Sequence, residues 1–270
     1  MTDNAELFRK EAEKAVMPFI ADFNGRLSLK CSICGTSLAY SYRADEIHHA
    51  ASMIKLPVMG RLFEAAKEGL VSLDDMAALG EGDIVEGGVL YEMHPGTELT
   101  LRDLARLMIV VSDNTAMNIL ADRLGFGAIS EHIKRLGMDN TGLVKKLMLP
   151  PPVPGAYNYT TAGDIWKFLS MLESGEIAGR EECDEMISIM SRQMFIEKIP
   201  RRLPKGVFTA NKTGEVSGVR HDGAIIRAFG KAMIISVLTS DSSDENASDD
   251  VISDISASLF RVFERFCKRD

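Results

Sequence analysis

Apolar positions at the start of the chain recur at helical spacing. Leu7, Ala12, Ala15, Val16, Phe19 and Ile20 fall roughly on one side of a helix over residues 4–23, which Asn24-Gly25 ends. The period then changes to two. Leu27-Ser28-Leu29 and residues 38–42 alternate around a turn at Gly35, the pattern of an antiparallel hairpin. Helical spacing returns after Ala50 and runs to about Gly69, with Pro57 removing one N–H in the second turn and freeing the carbonyl of Met53. Residues 80–96 hold five glycines and a proline and predict a loop. Thr100 and Asp103 resemble a capping box before an apolar helix over 101–111, which Ser112-Asp113-Asn114 interrupts. Further helices are expected over 115–124, 129–136, from Thr161 to about Leu172, and over 181–191. Four prolines make residues 145–159 a rigid loop. Strand patterns close the chain at 207–213, 223–228 and 232–239, and a last helix spans 251–268.

This arrangement predicts one domain of two lobes. Residues 1–50 and 195–270 would supply a five-stranded antiparallel sheet flanked by the terminal helices, an α+β architecture. Residues 51–194 would form an all-helical lobe packed against it. Five acids between Asp241 and Asp250 read as a solvated loop at the start of the final helix, where negative charge suits the helix dipole.

Composition narrows the functional classes. At 270 residues, 46% hydrophobic and 26% charged, the chain is an ordinary globular protein. A net charge of −8 and a pI near 5.3 argue against a nucleic-acid surface or an anionic-membrane anchor. No apolar run approaches the roughly 20 residues of a membrane span. The N-terminus carries no export signal, so the sequence as it stands reads as cytoplasmic, or as periplasmic or secreted if a leader has been removed. Cys31, Cys34, Cys183 and Cys267 make no disulfide framework. Cys31 and Cys34 have redox or zinc spacing but lack a second close pair, and read as two thiols beside a turn.

The stretch with chemistry in it is Ser52-Met53-Ile54-Lys55. Residues three apart share a helix face, so a hydroxyl and an amine can meet there. A desolvated lysine can take a serine's proton, and N–H groups at the start of a helix can receive an oxyanion. By itself, Ser-x-x-Lys is more often a solvated helix face. Ser112-Asp113-Asn114 and Lys212-Thr213-Gly214 change that reading, since the three motifs occur together and in this order in class A β-lactamases and penicillin-binding proteins. The chain resembles that superfamily, and most closely class A β-lactamases and class A-like serine hydrolases. The likeness covers nearly the whole chain and extends to Pro95-Gly96, the run from Met108 to Leu120, and Gly218 to Asp222.

The resemblance implies roles at matched positions. Ser52 would be the nucleophile and Lys55 its proton acceptor, with a pKa lowered by burial and by the cation of Lys212. Ser112 would relay a proton to the leaving nitrogen, tuned by Lys212. Asn114 would hold the substrate's side-chain amide, and Thr213, in the strand that carries Gly214, its carboxylate. The backbone N–H groups of Ser52 and Glu215 would form the oxyanion hole, and Arg220, matched more loosely, would be a counter-charge for the carboxylate. A monomer acting on a small molecule is expected, without cofactor or metal. His221-Asp222 looks like part of a triad, but neighbouring strand residues point to opposite faces, so it reads as structural. His48-His49 sits just before Ser52 and could approach the site, but a satisfied loop pair is the simpler reading. Tyr40, Tyr42 and Trp166 read as core or rim aromatics, and the methionines as core filling.

Two features depart from the family. Class A β-lactamases carry a glutamate in the loop before the Thr160-Thr161 helix, whereas residues 142–159 here contain no acid. Glu215 also places a carboxylate where β-lactams present theirs. The expectation is therefore a β-lactam-opening hydrolase with slow deacylation. The alternatives are a D-alanyl-D-alanine peptidase, a small-ester hydrolase, or a sensor-like domain acylated without turnover.

Overall fold

The computed structural model describes residues 2–268. Five strands make the main sheet: β1 (Arg26–Ile33), β2 (Ala39–Tyr42), β7 (Phe208–Val216), β8 (Val219–Ala228) and β9 (Lys231–Ser240). They are ordered β2-β1-β9-β8-β7 with every neighbour antiparallel, so β7 is a free edge. Helices α1 (Thr2–Asp22) and α8 (Glu245–Cys267) cover one face, and their aromatic contacts include Phe8 edge-on to Phe266 at 5.2 Å. The other face carries α6 (Ala162–Ser174), whose Trp166 donates to Ser32 Oγ at 2.9 Å.

Helices α3 (Leu101–Val110), α4 (Asn114–Leu124), α5 (Phe126–Arg135) and α7 (Arg180–Met190) pack around α2 (Lys55–Lys67), and α7 also packs on α6. Two apolar clusters result. Leu29, Val237, Ile255 and Phe263 lie between the sheet and the terminal helices, while Met53, Leu62, Met108 and Phe168 fill the helical side. Each such buried side chain contributes roughly 1.5–3 kcal/mol of transfer free energy. Two small ribbons complete the structure: β3 (His48–His49) with β6 (Tyr159–Thr160), and β4 (Met76–Ala78) with β5 (Glu98–Thr100).

Several boundaries differ from expectation, each for a local reason. The strand reading stopped at Thr213 and resumed at Gly223, yet β7 and β8 run through the polar residues between them to a tight turn at Ser217-Gly218. Those polar groups are paired within the fold, so they do not end the strands. The final helix begins at Glu245 rather than Val251, because the Asp244 side chain accepts from Ala247 N at 2.9 Å and caps it there. Glu245, Asp249 and Asp250 of the acidic stretch are therefore in the helix. Thr100 and Thr161 cap α3 and α6 by accepting from Asp103 N and Asp164 N. Cys31 belongs to the cluster under α8 and Cys34 packs against the opposite one. Burial pushes their thiols up, to about 12 and about 11, so neither is a ready thiolate.

Candidate active site

Ser52 sits in a 3-10 turn, Ala51–Ile54, that feeds directly into α2 at Lys55. The turn is tied down on three sides. Ala50 N donates to Asn158 O at 2.7 Å, Ala51 N donates to His49 Nδ1 at 2.9 Å, and His221 Nε2 donates to His49 O at 2.8 Å. These bonds hold Ala51 at a φ of 45°, a left-handed conformation that an alanine adopts only under constraint. β7 passes so close to the turn that a Cβ on Gly214 would lie 3.2 Å from Met53 N and 3.3 Å from Ala50 O. Glycine permits that approach, which brings the backbone of Gly214-Glu215 beside Ser52.

Lys55 is fully buried. Its Nζ donates to Ser112 O and to Asn114 Oδ1, both at 2.7 Å, and lies 3.0 Å from Ser52 Oγ and 3.1 Å from Ser112 Oγ. A neutral amine has two N–H donors and one lone pair. The carbonyl and the amide oxygen, which can only accept, take the two hydrogens and leave the lone pair for a serine hydroxyl. Burial, then the nearby charge of Lys212, drives the Lys55 pKa well below its ordinary value, against a smaller opposing pull from Asp113.

Ser112 bridges the two lysines, since Lys212 Nζ approaches its Oγ at 3.0 Å while donating to Thr213 O at 2.6 Å. Burial lowers Lys212 to about 7, with Asp222 and Glu215 resisting. Lys55, with its two hydrogens taken by acceptors and its lone pair toward the hydroxyls, is the amine placed to take a proton.

Asp113 builds the floor of this arrangement. It caps α4 by accepting from Ala116 N at 2.8 Å, and its second oxygen accepts from Val89 N and Leu90 N at 2.7 and 2.8 Å. Gly88, at a φ of 108°, runs so near that any Cβ would clash with the Asp113 carboxylate. Asn114 donates to Glu86 O at 2.8 Å, which fixes its amide with the oxygen on Lys55. Ser112, at a φ of 55°, turns the chain sharply between α3 and α4.

Ser52, Asn114, Glu215 and Val216 line a cleft of about 170 Å³, closed on one side by Lys145, Leu147 and Met148 of the proline loop. Asn158 holds that loop: its Oδ1 accepts from Val144 N and Lys145 N, and its Nδ2 donates to Lys145 O. Its amide is thereby used up in loop structure. His49 also lines the cleft, as its position just before Ser52 allowed, stacked on Tyr157 with ring centroids 5.3 Å apart. A larger hollow of about 1010 Å³ lies elsewhere, between the β1–β2 turn, α6 and the β8–β9 turn, and contains none of these groups.

The remaining expected residues fall at the β7 edge. Thr213 is buried, paired across the strands with Asp222. Arg220 lies opposite Glu215, donates to Val216 O and Val219 O, and forms ion pairs with Glu245 and Asp249 of α8. Glu215 is ion-paired with Lys198, a residue that sequence reasoning missed. Its only sequence signal is a position two residues before Pro200; the fold brings it to Glu215 on β7. Asp222 accepts from Asn211 Nδ2 and Ile199 N, on the side of β8 away from His221, and its burial raises it to about 7.

The buried imidazoles beneath the nucleophile turn give a stability prediction. His48 is held between Ser28 Oγ and Ser240 Oγ, edge-on to His221. Burial lowers His48 to about 3 and His221 to about 4, from 6.5. As pH falls from 6.5 toward 4, the unfolded chain takes up protons that the folded chain refuses, so stability present above 6.5 is lost. Asp222 works in the opposite direction from about 7 downward. His48→Gln isolates one histidine. Unfolding free energies of wild type and variant from urea titrations should lie about 1–3 kcal/mol apart at pH 7 and converge by pH 4.5. A gap that stays constant over that range would show that His48 does not titrate with folding.

An antiparallel sheet under two terminal helices, set against a helical cluster with a serine and two buried lysines at the junction, is the architecture of the β-lactamase and transpeptidase fold. The chain belongs to the Beta-lactamase enzyme family, whose sequence profile matches residues 10–263. It is 28% identical over 237 residues to Beta-lactamase 3 of Bacillus cereus, covering 86% of this chain and 74% of that protein. Among solved structures, a β-lactamase from Sphaerobacter thermophilus DSM 20745 superposes with a TM-score of 0.87 at 30% identity, covering 97% of this chain and 98% of that one. A PBP-A variant solved as an acyl-enzyme complex with penicillin G gives 0.87 at 25% identity, covering 95% and 97%. The enzyme is a serine hydrolase of the β-lactamase type. Among the described residues, no helix is long and apolar enough to cross a membrane.

Proposed function

We propose that Ser52 opens β-lactam rings through an acyl-enzyme that is released slowly. Ser52 Oγ attacks the carbonyl carbon and its proton passes to Lys55 Nζ. The developing oxyanion is received by the backbone N–H groups of Ser52 and Glu215. As the carbon–nitrogen bond breaks, the nitrogen takes a proton from Ser112 Oγ, which Lys55 replaces, and the cation of Lys212 steadies the transfer. Asn114 orients the acyl side chain and Thr213 lies along the other end of the substrate. Lys55 supports this reading most directly: a buried amine with its lone pair free, 3.0 Å from one hydroxyl and 3.1 Å from another. Release is slow because no acid in the proline loop can activate water, and Asn158 is committed to loop backbone.

The test compares a chromogenic cephalosporin with a short-chain nitrophenyl ester. Both should be consumed by one nucleophile, so titration with a fluorophosphonate should remove both activities in parallel and reach zero near one equivalent. Cephalosporin opening that survives complete loss of esterase activity would refute a shared Ser52 acyl-enzyme.

A further inference from the structure

Glu215 occupies the edge of the cleft where the acyl donor must lie, and its surroundings bear on what that donor can be. Asn211, Thr213 and Glu215 alternate onto one face of β7, opposite to Lys212 and Gly214. On that face, Glu215 is opposite Arg220 in the strand register and its side chain is 43% exposed. Lys198 is 1% exposed and already answered twice, by Glu215 and by Asp249 at 3.4 Å. Arg220 is likewise engaged by Glu245 and, at 3.8 Å, by Asp249. Three carboxylates therefore face two cations, and neither cation is left to receive another anion. Burial works against the charge on Glu215, but the hydrogen bond and charge of Lys198, helped by Arg220 and Lys212, hold its carboxyl below the ordinary range. The adjoining walls are apolar: Val216 is 40% exposed and Met148 is 57% exposed, both lining the same cleft.

Resting on the acylation of Ser52 proposed above, we infer that Glu215 is a specificity-determining residue that selects acyl donors uncharged at the β7 edge. The favoured class is an ester or amide flanked there by apolar or neutral groups. An anionic donor must either sit beside Glu215 or separate it from Lys198. Like charges about 6 Å apart, at an effective dielectric near 20, are sufficient for a discrimination of roughly 30-fold or more.

Benzylpenicillin and its methyl ester share one ring and differ by the carboxylate. Second-order rate constants for acylation, read by intact mass, should favour the methyl ester in the wild type. Glu215→Gln keeps the shape and a hydrogen-bonding group for Lys198. It should raise the anion-to-ester rate ratio by roughly 30-fold, and Glu215→Ser should move it the same way. In the wild type, the preference for the ester should also shrink as salt rises. An anion-to-ester ratio unchanged in both variants would overturn the inference, as would a wild-type preference for the free acid. Failure of both compounds to acylate any variant would instead count against the Ser52 reading itself.

Discussion

Ser52→Ala will lose covalent labelling by penicillin and by a fluorophosphonate, with acylation falling on the order of 10⁴-fold or more and the circular-dichroism spectrum unchanged. Two hydroxyls lie about equally near Lys55, but only one can attack. Ser52 lines the cleft beside the Gly214-Glu215 backbone, whereas Ser112 lies behind it, held between two amines. Removing Ser52 therefore leaves a base with no nucleophile to serve. Lys55→Ala should retain the hydroxyl and lose about 10²–10⁴-fold, the usual worth of a general base. Because burial and Lys212 both push the Lys55 pKa down, wild-type acylation should persist at neutral pH, where an ordinary lysine would be charged and inert. Labelling that persisted in Ser52→Ala, or mapped to Ser112, would reverse the assignment.

Turnover will begin with a burst near one equivalent and continue slowly. Ring opening draws on Ser52, Lys55 and Ser112, whose two hydroxyls lie 3.0 and 3.1 Å from the Lys55 amine. Hydrolysis of the ester needs a water on the acyl carbon and a group to take its proton. Among the loop side chains lining the cleft, Leu147 and Met148 cannot accept it, Lys145 brings no carboxylate, and Asn158 Oδ1 already accepts from two backbone N–H groups. Without a loop carboxylate to act as a base worth about 10²–10⁴-fold, the second step becomes limiting. Leu147→Glu, which places a carboxylate on the cleft wall, should speed the slow phase by at least about tenfold while leaving the burst near one equivalent. Fast linear turnover in the wild type would mean that another group activates water.

How much of this was legible in the sequence depended on whether a residue acts with near or distant neighbours. Ser52 and Lys55 are three apart on one turn, and Lys212-Thr213-Gly214 needs only a strand and a glycine, so motif and spacing located them. Thr100 and Thr161 marked helix starts through local caps. Lys198 gave no such signal, while His49 and Asp222 stood out in the sequence without their contacts being readable from it. Lys198 reaches Glu215 because the 3-10 turn Ile199–Arg202 that follows it packs on α8. The polar run from Glu215 to Asp222 resembled a loop because its partners lie on other segments: Lys198, His49, Ile199 and α8. Asp244 capped α8 earlier than the apolar periodicity began, since a cap needs only one carboxylate and no buried face.

The most direct measurement is intact-protein mass spectrometry during the slow phase with a chromogenic cephalosporin, followed by peptide mapping of the adduct. The expected result is protein carrying one acyl group, located on Ser52 and absent from Ser52→Ala. Unmodified protein during sustained turnover, or an adduct on any other residue, would contradict it.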